Sequence, residues 1–414
     1  MRVCVETYGC AANQGDAAMV QGVLEQQGHT VVDSPGQAEV VVLMTCIVID
    51  TTQQRMLHRL HILQSQGKRV VVGGCLPAAL PLLTRQVAPD APVLPPRSIH
   101  TVADLLAGRK GPGGEADKAR LPRRMGLRLS IPIADGCRQA CSYCITRLAR
   151  GWLTSYSEEG LVAAAGEAVR RGCRELRLTA QDTAAYGLDT GASLASLVGH
   201  ISDLEGDFRI RVGMMHPATA GQRLEEVVRV LSLPKVYRFL HLPLQSGSDA
   251  VLRDMRRRHT VAQFMEVVES VRSRLPQVSL ATDVIVGFPG ETQDQFMDTC
   301  RVLEELKPDV VNVTRFSARP RTPAKTLPGR VSTRVAKQRS RLMSEVADRV
   351  TLARHAGLVG TTVRALLLER LGDVVLGKTD TYCSLHVPEG PLGRVVEARV
   401  THAAPTHVVG EVVG

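Results

Sequence analysis

Apolar positions fall into short β-branched runs separated by longer stretches of mixed polarity. In the first 108 residues the runs at 2–8, 39–45 and 69–73 have strand length. Segments 16–27 and 51–66 between them have helical length and polarity. That alternation predicts βαβ units on a parallel sheet. Residues 108–118 are Gly-rich and charged and read as a linker. Their glycines neither follow a strand nor open a helix, which excludes a phosphate loop. From 128 to about 351 the alternation resumes, with strands expected at 129–134, 175–179, 208–214, 237–242, 280–286 and 310–316. Helices are expected at 157–171, 224–231 and 291–306. Six βα units predict a partial barrel of parallel strands. Beyond 358 come short β runs at 362–368, 382–387, 394–401 and 406–413, punctuated by Gly372, Gly377, Gly390 and Gly393. They predict a small all-β barrel. The expected fold class is thus α/β. It comprises a parallel N-terminal domain (1–110), a linker (111–128), a partial (βα)6 barrel (129–354) and a C-terminal β-barrel (355–414).

Composition changes this picture little. Hydrophobic residues make up 44% and charged residues 22% of the 414-residue chain, which is ordinary for a globular protein. The longest apolar run, 40–49, holds ten residues with one Thr, whereas a helical membrane span needs about twenty. No membrane crossing is expected. Glu6 and the lack of a long apolar stretch argue against a secretory signal. A cytoplasmic protein with reduced thiols is the expectation.

Charge says more. The net charge is +10, and segment 111–354 holds 37 Lys/Arg against 27 Asp/Glu, which is the whole excess. A polyanion would be gripped mainly there. Three basic clusters stand out: Lys118, Arg120, Arg123, Arg124 and Arg128; Arg253, Arg256, Arg257 and Arg258; and Arg319, Arg321, Lys325 and Arg330. With one Trp, six Phe and six Tyr, extensive base stacking is not expected. Each cluster alone is more often a solvated face; phosphate contact, with one base entering the barrel mouth, becomes the expectation only beside an RNA-binding domain.

The cysteines carry the sharpest signal. Cys137-x3-Cys141-x2-Cys144 follows the first barrel strand, where α/β barrels place their chemistry. Three thiolates can hold three irons of a [4Fe–4S] cluster and leave the fourth open. Zinc would need a fourth ligand, and no adjacent Cys or His supplies one. Cys10, Cys46 and Cys75 each follow one of the first three strands. In a parallel sheet all three project at the carboxyl edge, where ligands bind. They suit a second cluster; three unrelated buried thiols are the alternative. Cys4, Cys173, Cys300 and Cys383 lack partner spacing and read as small buried hydrophobes.

The 137–144 motif resembles that of the radical S-adenosylmethionine (SAM) enzymes, in which the open iron chelates SAM. Tyr143 occupies the position where that family keeps an aromatic near the adenine. Thr7-Tyr8-Gly9-Cys10-x2-Asn13-x2-Asp16, Met44-Thr45-Cys46 and Gly73-Gly74-Cys75 resemble the motifs of the methylthiotransferases. Residues 242–248 and 283–291 are similar to that family's barrel signatures, and residues 376–379 and 410–411 to its TRAM RNA-binding domain. The resemblance implies two [4Fe–4S] clusters, SAM, a tRNA partner, an electron donor and a sulfur source, in a monomer. Cys137, Cys141 and Cys144 would serve hydrogen abstraction, and Cys10, Cys46 and Cys75 sulfur delivery. Gln181, Asp182, Gln245 and Ser246, which end barrel strands, are candidate SAM contacts. Residues 145–151 and 211–215 point to the branch acting on N6-threonylcarbamoyladenosine at position 37. N6-isopentenyladenosine, a ribosomal protein, or a non-catalytic iron–sulfur RNA-binding sensor are the alternatives. Two departures stand out: Ala180 where this family tends to have glycine, and His216 where it tends to have asparagine.

Overall fold

The computed structural model describes residues 1–109, 111 and 114–413. Lys110, Pro112 and Gly113 of the expected linker, and the terminal Gly414, lie outside the described residues. The first sheet is parallel, in the order β2-β1-β3-β4-β5. Its strands are β1 (Arg2–Thr7), β2 (Thr30–Val32), β3 (Val40–Thr45), β4 (Arg69–Gly74) and β5 (Val93–Leu94). All six residues of β3 are buried, as the centre of a parallel sheet covered on both faces requires. The three expected strands are β1, β3 and β4. The edge strands β2 and β5 span three and two residues, too few for a period to register. Helix α1 (Ala11–Gln26) follows β1, α2 (Asp50–Ser65) follows β3, and the short α3 (Cys75–Ala79) follows β4.

The central sheet begins with β6 (Arg128–Pro132), and a small antiparallel pair follows, β7 (Ala134–Asp135) with β8 (Thr154–Ser155). Next come β9 (Glu175–Thr179), β10 (Arg209–Val212), β11 (Phe239–His241), β12 (Ser279–Val286) and β13 (Val310–Arg315). The parallel triplets β6-β9-β10 and β11-β12-β13 meet through a parallel bridge between Ile210 and Val236. Six parallel strands therefore run in chain order, and β6 and β13 do not pair with each other. Alternation sorts the side chains. Leu129, Ile131, Leu176, Leu178, Ile210, Val212 and Leu240 belong to the core shared with the outer helices. Arg128, Glu175, Arg177, Arg211, Phe239 and His241, out of phase with them, line the lumen.

The C-terminal unit is a closed barrel in the order β14-β15-β16-β18-β17. Its strands are β14 (Thr362–Leu371), β15 (Val374–Thr379), β16 (Ser384–Val387), β17 (Val395–Ala403) and β18 (Val408–Val412). Strand β15 was not expected from the pattern. Gly377, which reads as punctuation, lies inside it and faces Leu366 and Leu367 across the ladder. Among the described residues no helix is long and apolar enough to cross a membrane.

Helix α1 docks on the central sheet by close backbone approach. A Cβ on Gly15 would lie 2.6 Å from the Pro132 ring and 2.9 Å from the Ser130 carbonyl oxygen. One on Gly22 would lie 2.4 Å from the backbone of Pro122 and Arg123. Two helical turns apart, the two glycines share one face of α1, and that face is the seam. Gly15→Val should therefore lower stability by about 1–3 kcal/mol through overpacking. Denaturant midpoints of the full chain check this, and an unchanged midpoint would refute the tight seam.

Candidate active site

Cys137, Cys141 and Cys144 occupy the loop between β7 and the helix Thr146–Arg150. The Gln139 amide lies 3.4 Å from Cys137 Sγ and donates to it, and Arg257 Nη1 lies 3.7 Å from Cys141 Sγ. The amides of Thr146 and Arg147 donate to Cys144. Burial pushes the Cys137 thiol up to about 12 and raises that of Cys144. These N–H donors favour the thiolate, the form in which these residues would hold iron.

Cys10 lies between β1 and α1, Cys46 follows β3, and Cys75 opens α3. The carboxyl edge thus carries all three, as the topology predicts. Cys46 and Cys75 are buried and Cys10 is exposed. Burial pushes the Cys75 thiol up to about 12, while the Arg150 charge pulls it down and Cys10 and Cys46 push it up. Cys46 is raised by burial, against amide donors at Ile47 and Val48. The three thiols thus lie within reach of one another's charge. Among the described residues no three His, Cys, Asp or Glu side chains stand close enough to hold a single ion. A cubane instead spreads its three thiolates over three different irons. All ten cysteines are free thiols. Each triplet is a sulfur-only donor set with N–H or guanidinium donors beside it, which fits an iron–sulfur cluster.

A buried ionic square ties the two triplets together. Lys118 Nζ lies 2.6 Å from both Asp16 Oδ1 and Asp135 Oδ2. Arg150 Nη2 lies 2.7 Å from Asp16 Oδ2, and Arg150 Nη1 pairs with Asp135 Oδ1. All four side chains are at most 2% exposed. Tyr156 donates to Asp135 at 2.8 Å, and Arg150 donates to Asn13 at 3.0 Å. Asn13 in turn donates to the Thr45 carbonyl at 2.8 Å and lies 3.8 Å from Cys75 Sγ. Asp16 comes six residues after Cys10, Asp135 two before Cys137, and Arg150 six after Cys144. Burial opposes the Asp135 charge, but Lys118 and Arg150 outweigh it and hold the carboxyl well below its usual range. The sequence reading quoted Asn13, Asp16, Lys118 and Arg150 without pairing them and missed Asp135, although an acid ending the apolar run 129–135 was a signal.

The expected SAM contacts divide. Asp182 is buried, accepting from the His216 amide at 2.9 Å and the Thr219 hydroxyl at 2.8 Å. Burial pushes its carboxyl up to about 6. Ser246 is fully buried against Thr299 and accepts from the Ser248 amide. Both make hydrogen bonds within the framework. Gln181 accepts from the Gly136 amide, beside Cys137, at 2.6 Å. Gln245 has a positive φ of 72° and a buried Oε1 with no partner, so it retains an open acceptor. Tyr143 packs on Val251, Met255, Phe288 and Ala324. His216 caps the helix Pro217–Gln222, its Nδ1 accepting from the Ala218 amide as an asparagine side chain would. Burial, then Arg257, push its pKa down to about 2, so it stays neutral.

The basic clusters need correction. Lys118 and Arg123 are buried, the latter donating to the carbonyls of Lys118, Ala119 and Leu121. Arg257 donates to the Pro243 carbonyl. Arg319 is buried against Gln53 and Asp50, and Arg321 donates to the Ala79 carbonyl, both bridging the N-terminal unit and the barrel. Arg128 pairs with the buried Glu175 at 2.7 Å. Arg253, Arg256, Arg258, Lys325 and Arg330 stay exposed. A linear run of arginines cannot reveal which members turn inward.

The fold and the 137–144 triplet define a radical SAM protein. Residues 131–303 match the Radical SAM superfamily, and residues 2–92 match "Uncharacterized protein family UPF0004". Superfamily membership implies SAM and a [4Fe–4S] cluster. The radical SAM methyltransferase TsrM from Kitasatospora setae superposes with a TM-score of 0.59 at 16% identity, covering 78% of this chain and 76% of that one. The chain is 39% identical to a probable threonylcarbamoyladenosine tRNA methylthiotransferase of Methanothermobacter thermautotrophicus, over 99% of both chains. It is 38% identical to the Pyrococcus horikoshii counterpart over 100% of both. To the Homo sapiens enzyme it is 31% identical, over 99% of this chain and 74% of that one. The chain belongs to the family of threonylcarbamoyladenosine tRNA methylthiotransferases.

Removing one charge from the ionic square leaves its partners buried and uncompensated. Asp135→Asn should cost about 3–5 kcal/mol, measured by denaturant unfolding. The Asp135 carboxyl is depressed when folded, so its contribution is present above the unfolded pKa of about 3.9. It is lost as pH falls toward the folded value. Wild-type stability should thus fall below about pH 4 with a steeper slope than that of the Asn variant.

Proposed function

We propose that this chain converts N6-threonylcarbamoyladenosine at position 37 of tRNA to its 2-methylthio derivative. The observation that carries the reading is the pair of cysteine triplets, joined through Asn13, Asp16, Asp135 and Arg150 in a chain aligned end to end with the family. Cys137, Cys141 and Cys144 would hold the SAM-cleaving cluster, and Cys10, Cys46 and Cys75 a second one. When bound, these groups supply the electron that cleaves SAM and the sulfur to be transferred. The chain's own residues place them. Arg257 faces Cys141, Arg150 faces Cys75, and the α1 seam holds the two edges in register. Gln181 and Gln245 are the proposed SAM contacts.

We divide the chain into residues 1–110, a linker of 111–128, a barrel of 129–354 and a TRAM-like unit of 355–414. A monomer in the cytoplasm is consistent with both triplets lying on one chain. An electron donor and a sulfur source complete the requirement. RNA contact falls to the exposed Arg253, Arg256 and Arg258 rather than to Arg257. Charge reversal at each exposed arginine should lower the salt slope of tRNA binding by about one unit. An unchanged slope in the triple variant would remove them from the interface.

Separate roles for the triplets predict separate failures. Cys141→Ala should form neither 5′-deoxyadenosine nor methylthio-nucleoside in an anaerobic assay with dithionite. Cys75→Ala should still form 5′-deoxyadenosine but no methylthio-nucleoside. If Cys75→Ala, with its other cluster intact by iron count, fails to cleave SAM, the division of labour is wrong.

A further inference from the structure

The lower lumen of the partial barrel carries more cations than it can pair internally. Arg177 and Arg211 are partners in register on neighbouring strands β9 and β10, an arrangement that is unfavourable without a counter-ion. Glu175, fully buried, is shared between Arg128 at 2.7 Å and Arg177 at 3.2 Å. Asp283 is engaged by His241 Nε2 at 3.0 Å and by Asn312 Nδ2 at 2.6 Å. Lys378 of the small barrel donates to Ser384 and lies 4.6 Å from the centre of the Tyr382 ring. Four cations, Arg128, Arg177, Arg211 and Lys378, thus face three acids: Glu175, Asp283 and Glu369, which lies 3.6 Å from Arg128, and all three are already engaged.

Arg211 makes no hydrogen bond or ion pair among the described residues. Its guanidinium lies over the rings of Phe239 and Tyr382, at 5.3 and 5.2 Å. Tyr382 reaches this place from a turn of the small barrel with φ 64° and packs on Tyr237, Phe239 and Ala281. The buried Tyr237 hydroxyl also lacks a partner. Burial lowers the pKa of Arg211 and pushes that of Lys378 down to about 8. The pocket remains wet: Arg177, His241 and Asp283 keep 16%, 15% and 23% of their side-chain surface.

We propose that Arg211 and Arg177 form a carboxylate subsite that receives the threonine carboxylate of the N6-threonylcarbamoyl substituent. This rests on the function proposed above. Attached through its amino group, threonine keeps a free carboxylate and hydroxyl. Arg211 lies three residues, about 10 Å, below Met214 at the mouth. A base whose N6 edge enters the mouth would direct its substituent toward this level. The guanidinium fork matches a carboxylate, and the flanking rings hold it in place. The His241–Asp283–Asn312 chain stands beside it for the hydroxyl. An isopentenyl group would leave Arg211 without a counter-ion and Arg177 with only its share of Glu175, so the subsite selects for an anion.

Three anticodon stem-loops test this: one carrying N6-threonylcarbamoyladenosine, one its threonine carboxamide, and one N6-isopentenyladenosine. Wild type should bind the acid about 10- to 100-fold more tightly than the amide. In Arg211→Met that ratio should collapse toward one, and Arg211→Lys should restore part of it. Arg177→Met supplies a second reading if the first variant does not fold. Persistence of the acid preference in both Met variants would overturn the subsite and leave the proposed function standing. So would wild type that converts the acid yet prefers neither acid nor amide. Wild type that methylthiolates only the isopentenyl stem-loop would overturn the function itself.

Discussion

The structure turns on four charges buried where the N-terminal sheet meets the barrel. Asp16, Lys118, Asp135 and Arg150 alternate in sign, so each cation touches two acids and each acid two cations. Isolated charges at such depth would be prohibitive. Closed into a square, with Tyr156 and Asn13 taking further hydrogen bonds, they are paired throughout. The arrangement forms only when α1, the segment at Lys118, β7 and the helix after Cys144 are all in place. It is a docking condition for the two halves as well as a bond between them.

That condition has a consequence for chemistry. Each corner of the square lies within a few residues of a cysteine or contacts a residue that does. Asn13 extends the network to Cys75 and to the carbonyl preceding Cys46. The two triplets belong to different sheets, yet their separation is set by a rigid, fully paired polar core instead of by a flexible linker. Cofactors that must act on one atom need this kind of placement. The Gly15 and Gly22 seam gives the same result by sterics, since at these two positions only glycine leaves room for Pro132 and for the backbone of Pro122 and Arg123.

The arginines divide into three kinds of work. Some are structural, with Arg123, Arg150 and Arg319 satisfying buried carbonyls and acids. Some remain on the surface, where phosphates can reach them. Arg211 is neither: it is enclosed by aromatic rings and lacks an acid of its own. A net charge counted over residues 111–354 merges these classes, and only the surface group can contribute to the salt dependence of RNA binding.

The sequence by itself determined the order of sheets, the position of both cysteine triplets at the carboxyl ends of strands, and the burial of Cys4, Cys173, Cys300 and Cys383. These follow from local period and from the rule that parallel strands expose their carboxyl ends together. It also marked Asp182 and Ser246 as strand-end residues, but not that both would be consumed by framework hydrogen bonds. The tertiary structure alone decided the ionic square, whose partners Arg150 and Asp16 lie 134 positions apart and Lys118 and Asp16 102 apart. It alone decided which arginines face inward. Pairings at such separations leave no periodic trace, because they depend on two surfaces meeting and not on the geometry of either segment.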